Sequence, residues 1–428
     1  MKEQIRDNLN AAAKLEVLYQ QNPAAFESAF REVFTEIERS PVADFWMARL
    51  NDNSKAISET PAKTSAFHFY DLLFLLGAIL IGWAILKIPD ICKFPSDAFI
   101  AKNVALSVLP CVSIYWAWKR RIAWKNIFPL VLVCVVSAIS INLLPVNYNK
   151  FRIFTPSDTF ILSCIFLPIL WWITMSIFLR REAESALQSL TRSISHTGEL
   201  FVTMILISLA GGAVLGAAAA LFSTIGLDIG DALENFVIPL LLAIPFIAVC
   251  LTETYPQLAR SLTSILARVL VPLIFLALAI YIVLVILLPN KDVFASRDFL
   301  ITFNGALLGT AAVILIALCA TELQLPPRWV TISNGLLCAV SVILTGMVIY
   351  FLMSRAHSGG LTPNRFAAFG VDIILIIHLC IVGYRLFALD AGKSTFDALK
   401  DAMTFPFYLY AAWSAFVIFA FPLIFHFK

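Results

Sequence analysis

Charged residues are scarce in this sequence: they make up 14% of its 428 residues, whereas a typical soluble domain has about a quarter. Apolar residues make up 60%, and the mean hydropathy is +0.86. This composition excludes a water-soluble core, a disordered chain and a collagen-like chain. The net charge is only +3, with Lys and Arg at the ends of apolar runs, so we expect no nucleic-acid partner. We predict an all-α, polytopic helical membrane protein.

The sequence also lacks the short motifs that carry chemistry. It has no P-loop, no HExxH, no GxSxG and no glycine-rich dinucleotide fingerprint. Its eight cysteines include no CxxC pair, and most lie in apolar runs, where cysteine acts as a small apolar side chain. No apolar stretch follows Met1, so no signal peptide is predicted. We predict no catalytic residue, no metal site and no cofactor, and we do not favour an enzyme.

The region before residue 67 differs from the rest, since it holds 18 of the 59 charged residues and no long apolar run. An apolar stripe at helical spacing marks one face of a helix there and consists of Phe26, Phe30, Phe34 and Ile37. We therefore expect a small amino-terminal helical domain over 1–66 that faces water. The remainder, 67–428, is predicted to be a transmembrane helical bundle.

About eleven apolar runs of roughly 18–26 residues follow, each long enough to cross a hydrocarbon core of roughly 30 Å as a helix. Strands of a membrane barrel would be shorter and would alternate in polarity. The runs are 67–88, 97–117, 126–145, 157–179, 199–224, 235–252, 265–289, 299–320, 330–353, 366–388 and 403–426. Pro239 and Pro245 interrupt the sixth run, which suggests either a kink or a broken helix of the kind found in transporters.

Lys and Arg residues are distributed unequally between the predicted loops. With a cytoplasmic amino terminus, 13 of them lie in inner loops and 8 in outer loops, and the densest cluster is Lys119–Lys125. Positive residues are retained on the cytoplasmic side of a membrane. We therefore predict a multi-pass protein with a cytoplasmic amino terminus.

The tenth run carries three ionisable residues, Asp372, His378 and Arg385. Burying a charge in a bilayer is costly, so such residues mark functional sites or buried polar contacts. His378 and Arg385 share a helix face, whereas Asp372 points about 120° away, so their partners must come from neighbouring helices. Two interpretations stay open: a substrate, ion or proton site at Asp372 or His378, or a hydrogen-bonded polar group, with Arg385 reaching the interface.

The segment before this run extends from Arg355 to Arg365. Thr362 followed by Pro363 is typical of an N-cap with proline at the first helical position, which places Asn364 and Arg365 in the first turn. A positive charge at the positive end of a helix dipole suggests a nearby anion. The segment is therefore either a helix-start loop or an anion site, for example for a lipid headgroup phosphate.

Residues 359–365 read Gly-Gly-Leu-Thr-Pro-Asn-Arg. This stretch resembles the Tyr-Gly-Leu-Thr-x-Asn-Arg signature of a family of bacterial inner-membrane proteins, domain-of-unknown-function family 4153, with glycine in place of the usual tyrosine. Residues 221–226 and 267–274 are similar to further stretches of that family. The resemblance covers roughly residues 200–390 and implies a polytopic protein of the bacterial inner membrane, without an established activity.

The fifth run contains a face of small residues spaced by four. Such a face lets two helix backbones approach closely, and it consists of Ser208, Gly212, Gly216 and Ala220. It indicates either close packing against a helix of the same chain or a seam with a second copy.

A few further polar residues lie in or beside apolar runs. Glu253 and Glu322 are predicted at the inner interface or in a cytoplasmic vestibule, and Lys102 is expected to reach outward. Asn304 and Asn334 are predicted to join helices by hydrogen bonds.

Three classes of function fit these features. We favour a permease for a small solute, because of the helix count, the proline-interrupted helices and the few buried polar residues. The alternative is a non-transporting sensor or assembly protein with a protein partner or as a homodimer. A membrane-embedded enzyme acting on lipid or glycan is least favoured, because no acid–base cluster is visible.

Overall fold

The computed structural model divides the chain into two compact units, Met1–Ala66 and Phe67–Lys428. The residues that it describes are 5, 15, 18–19, 23–34, 42, 46–47, 50, 69–150, 154–180, 185–224, 230–287, 297–319 and 327–427. Apart from a one-residue bridge between Tyr148 and Phe154, the regular structure in these residues is helical.

The first unit contains the helix α1 (Pro23–Phe34). Its apolar face carries Phe26 and Phe30, which are fully buried and pack against the Trp46 ring at centroid distances of 5.1 and 6.3 Å. Ile37, predicted on the same face, lies outside the described residues. A small aromatic core thus holds the described part of this unit together.

The second unit is a bundle of long helices. They are α2 (Phe69–Cys92), α3 (Ser96–Lys119), α4 (Trp124–Leu143), α5 (Asp158–Phe178), α6 (Ala186–Thr224), α7 (Gly230–Thr254), α8 (Pro256–Leu287), α9 (Arg297–Cys319), α10 (Arg328–Gly359), α11 (Pro363–Asp390), α12 (Phe396–Thr404), α13 (Phe407–Phe419) and α14 (Phe421–Ile424).

Ten segments of the described chain are long and apolar enough to cross a membrane, with α12 and α13 counted as one, and α7 adds the shorter apolar stretch Leu241–Thr254. Large apolar side chains cover the exterior of this unit, as expected for a surface that meets lipid. The predicted fold class, an all-α polytopic membrane protein, is confirmed.

Contacts between helix termini define two ends of the bundle. The start of α2 meets the end of α3 through Asp71 and Lys119, and we call this the Lys119 end. Gly198 near the start of α6 meets Ile316 near the end of α9, so α9 also ends there. The turn from α10 to α11 lies at the opposite end, which we call the Arg365 end.

Helix α6 starts at Ala186, well before the predicted residue 199. Its first turns pack inside the protein and bury polar residues such as Ser189, Thr191 and Ser195. Because protein rather than lipid surrounds these turns, the helix does not need an apolar sequence there. From residue 200 to 224 the same helix has no buried side chain.

Of the two interpretations of the sixth run, a broken helix is wrong, because α7 continues through Pro239 and Pro245. The helical hydrogen bonds are interrupted instead in the last run, where α12 ends at Thr404 and α13 begins at Phe407. Phe405 and Pro406 between them keep helical dihedrals, and we call this proline kink the helix break. Pro406 has no N–H group to continue the helix, and the Phe405 N–H closes α12 on the Asp401 carbonyl.

Candidate functional site

Asp372 lies deep in the second unit, with 1% of its surface exposed. It follows the start of α11 by nine residues, or roughly 14 Å of helix, which is near the middle of a hydrocarbon core of about 30 Å. The Asn304 side-chain amide on α9 donates a hydrogen bond to Asp372 Oδ2 at 3.4 Å. The predicted need for partners from neighbouring helices is confirmed for this residue.

His378 lies two turns further along α11 and is 2% exposed. Its Nε2 is 3.0 Å from the Met403 carbonyl oxygen, and because a carbonyl can only accept, Nε2 carries the proton. Met403 is the next-to-last residue of α12, so its carbonyl lies at the helix break. The Phe407 and Tyr410 rings pack on the imidazole at 5.8 and 5.9 Å.

Close packing of α13 against α11 sets this geometry. Gly370 has no side chain, and a Cβ placed there would lie only 2.0 Å from the Trp413 ring. The Trp413 indole N–H also donates to the Ala367 carbonyl at 3.2 Å. These contacts hold α13 against the face of α11 that carries Asp372.

Four helices therefore bring a polar cluster together at the break of the last span. We call it the Asp372 site, and it comprises Asn304, Asp372, His378, Tyr410 and the Met403 carbonyl. Arg385 does not belong to it: this residue lies near the end of α11 and has no hydrogen bond or ion pair with the described residues.

A second polar assembly lies at the Lys119 end. Asp71 is fully buried and accepts hydrogen bonds from Lys119 at 2.8 and 2.9 Å and from the Tyr115 hydroxyl at 3.1 Å. Opposite charges on α2 and α3 thus neutralise each other where the two helices meet.

The next turn of this assembly joins three more helices. Arg120 donates to Glu253 of α7 at 2.6 Å. His196 of α6 lies between two carboxylates, with Nε2 3.6 Å from Glu253 and Nδ1 3.2 Å from Glu199. Arg260 of α8 reaches Glu199 at 3.4 Å. We call these five residues, together with Asp71 and Lys119, the ionic network.

At the Arg365 end, the side chains of Thr362 and Arg365 each cap a helix. Thr362 caps α11 by accepting from the Arg365 N–H at 3.4 Å, and Pro363 stands at the first helical position, as predicted. The Arg365 guanidinium donates to the carbonyls of Arg355 and Gly360, so it caps the end of α10. Its favourable partner is therefore the negative end of a helix dipole, and no anion is needed to explain its position.

The segment before Thr362 depends on glycine. Gly360 has φ +76°, a backbone conformation that favours glycine, and a Cβ at Gly359 would lie 3.1 Å from the Arg365 guanidinium. Asn364 lies beside Arg365 in the first turn of α11 and is partly exposed.

The small-residue face of α6 has no packing partner among the described residues. Ser208, Gly212, Gly216 and Ala220 are all exposed, and a Cβ added at either glycine would meet no atom of the described residues within 4 Å. Within the described part of the chain, the face is therefore open to lipid or to a second chain.

The remaining predicted polar residues fall into different roles. Lys102 donates to the Leu144 carbonyl at 2.7 Å and so caps the end of α4, rather than reaching outward. Asn334 donates within its own helix to the Val330 carbonyl at 2.8 Å. Glu322 lies outside the described residues.

Sequence reasoning missed Asp71, His196, Glu199 and Tyr410. Asp71 had a usable signal, since it is an acidic residue inside the first apolar run. The other three gave little signal, because His196 precedes the fifth run, Glu199 stands at its first residue, and tyrosine is common near membrane interfaces.

The architecture and the buried polar groups define a multi-pass helical membrane protein that contacts the lipid bilayer. Comparison of the chain with protein-family models, with curated proteins and with solved structures finds no match. In the described part of the chain, no group of three or more His, Cys, Asp or Glu side chains is placed to hold a metal ion.

Proposed function

We propose that the protein is a permease that moves a small solute across the bacterial inner membrane, with the Asp372 site as its binding region. One observation carries this proposal: buried polar groups from four helices converge at mid-membrane depth on a break in a spanning helix. Ionisable groups at that depth are costly and mark transport pathways. Broken helices expose backbone groups that bind solutes in transporters.

The ionic network supports the same proposal. Alternating access moves one group of helices against another around a central site. Such motion requires contacts that hold one end closed in one state and separate in the other. The pair of Arg120 and Glu253, at 2.6 Å, joins α3 to α7 at the Lys119 end and is of that kind. We propose that the Lys119 end faces the cytoplasm. We also propose that the resemblance of residues 359–365 to the signature of the bacterial inner-membrane family reflects membership of that family.

Water access to the Asp372 site tests the proposal without knowledge of the solute. In a variant without the eight native cysteines, Asn304→Cys is treated with a small, charged thiol reagent in membranes. We expect it to react, because a permease opens its site to water. Leu308→Cys, one turn further along α9 and exposed on the exterior, is the matched control and should stay unreacted in lipid. An unreactive residue 304 from both sides of the membrane would refute a permease.

One observation favours a second function. The exposed small-residue face of α6, with Gly212 and Gly216, suits close contact with a second chain. A sensor or assembly protein that works as a homodimer would use such a face. Cross-linking of Gly212→Cys between copies, without any water access to residue 304, would favour that alternative.

A further inference from the structure

Asp372 differs from every carboxylate of the ionic network in its surroundings. Its hydrogen-bond partner is the neutral amide of Asn304, and no Lys or Arg of the described chain pairs with it. Tyr410, the next polar side chain of the Asp372 site, packs on His378 and is a neutral phenol. An ionised carboxylate without a cation is very costly to bury in an apolar interior, and such a group becomes neutral instead.

The other charged groups of the surrounding helices cannot compensate Asp372. Arg365 on the same helix is two turns away, with its guanidinium on the carbonyls at the end of α10. Arg328 and Asp390 pair with each other at the opposite end of α10 and α11, at 2.9 Å. His378 has its Nε2 proton on the Met403 carbonyl.

We propose that Asp372 carries a proton through the membrane and is the coupling site of the transport cycle, an inference that rests on the proposed permease. The buried state holds Asp372 as the carboxylic acid. Exposure of the site to water on one side lets the O–H bond break, so that the proton leaves to water and the carboxylate remains. The carboxylate must take up a proton again before the site can close around it.

Tyr410 extends this site toward the helix break. Its ring is 5.9 Å from the His378 imidazole. The polar groups thus continue from the middle of α11 to the Met403 carbonyl, in the direction of the Lys119 end.

Infrared spectroscopy of the purified full-length protein in lipid nanodiscs tests the proposal without any solute. A protonated carboxyl group has a C=O stretching band that an ionised one lacks. We expect this band at neutral pH, its complete loss in Asp372→Asn, and its retention in Asp390→Asn. The control residue lies on the same helix but pairs with Arg328. We also expect the wild-type band to decrease as the pH is raised while the protein stays folded.

Two results would overturn the proposal. If the wild type has no such band, or Asp372→Asn leaves it unchanged, Asp372 is ionised. If the band stays constant from acidic to alkaline pH, Asp372 is a permanently protonated structural group and no carrier. Should Asp372→Asn fail to fold, an apolar carbodiimide, which modifies protonated carboxyl groups, is applied to the wild type, and an unmodified Asp372 in the peptide mass map refutes the proposal. The cysteine test at Asn304 is a separate measurement, so failure of the proton proposal can be distinguished from failure of the proposed permease.

Discussion

Replacing Asp71 by Asn isolates the contribution of the buried pair that joins α2 and α3. The substitution keeps the shape of the side chain but removes the charge that accepts two hydrogen bonds from Lys119 and one from Tyr115. Removing one partner of a fully buried pair costs about 3–5 kcal/mol, because the other charge stays buried. Since the Lys119 side chain is 16% exposed and water screens part of the loss, we expect the free energy of unfolding to fall by about 2–4 kcal/mol.

The same helix supplies a matched control. Asp90 pairs with Lys87 at 2.8 Å, but its side chain is 57% exposed. Exposed pairs contribute about 0–1 kcal/mol, so Asp90→Asn should be nearly neutral. Both variants are unfolded by denaturant in mixed detergent micelles, and the midpoints and slopes are compared with those of the wild type.

A double variant separates the charge from the packing. Lys119→Met in the Asp71→Asn background removes the unpaired cation, so we expect it to restore part of the lost stability. Two results would show that the buried charge is not the source of the pair's contribution to stability. One is equal stability of Asp71→Asn and Asp90→Asn, and the other is a further loss of stability in the double variant.

Three further substitutions test the packing and the caps. Gly370→Ala should lower the free energy of unfolding by about 1–3 kcal/mol, because the new Cβ clashes with the tryptophan ring of α13. Gly346→Ala is the control and should leave it unchanged, because its new Cβ meets nothing within 4 Å. Equal melting temperatures of the two variants would contradict this packing. Gly212→Leu should leave the melting temperature of the monomer in detergent unchanged, and a marked decrease would mean that the face is packed. Arg365→Ala should cost about 1–2 kcal/mol through the lost carbonyl contacts, and Arg385→Ala on the same helix serves as the neutral control in the same unfolding assay.

The spanning helices could be predicted from the sequence because lipid imposes a simple rule. Every backbone polar group must be satisfied within the segment, so each crossing is a helix of a certain length and is apolar where it meets lipid. The same rule explains why the start of α6 was predicted too late. The turns that contain Ser189 and Ser195 are surrounded by protein, so they do not need to be apolar.

The effect of each proline could not be predicted, because it depends on neighbouring helices. A proline frees a carbonyl, and the helix continues where other groups satisfy the backbone. Helix α7 continues through Pro239 and Pro245. Pro406 frees the carbonyl of Ala402, four residues earlier, and the His378 imidazole on α11 binds the adjacent Met403 carbonyl. Nothing within the last run itself indicates that partner.

Part of the candidate site could be predicted from the sequence, whereas the rest depends on contacts between helices. Asp372 and His378 stand out because ionisable residues are rare in an apolar run. Asn304 is 68 residues away from Asp372 in the sequence, and only the packing of α9 beside α11 brings the two together. The cap by Thr362 was predictable because it is local, whereas the carbonyls that bind the Arg365 side chain lie at the end of the preceding helix and gave no local signal.

The ionic network contains more charged residues than the Asp372 site, but it is the weaker candidate for the site of transport. In the ionic network, Asp71, Glu199 and Glu253 each bond a basic side chain, so their charges are compensated where they lie. A compensated pair is stable as it stands and can act as a closure that opens or shuts. In the described chain, Asp372 bonds only the neutral amide of Asn304. It is stable as the neutral acid when the protein encloses it and as the carboxylate when water enters. A group whose charge must change whenever its surroundings change would couple proton movement to helix movement, and for this reason our proposal assigns the transport chemistry to Asp372 rather than to the ionic network.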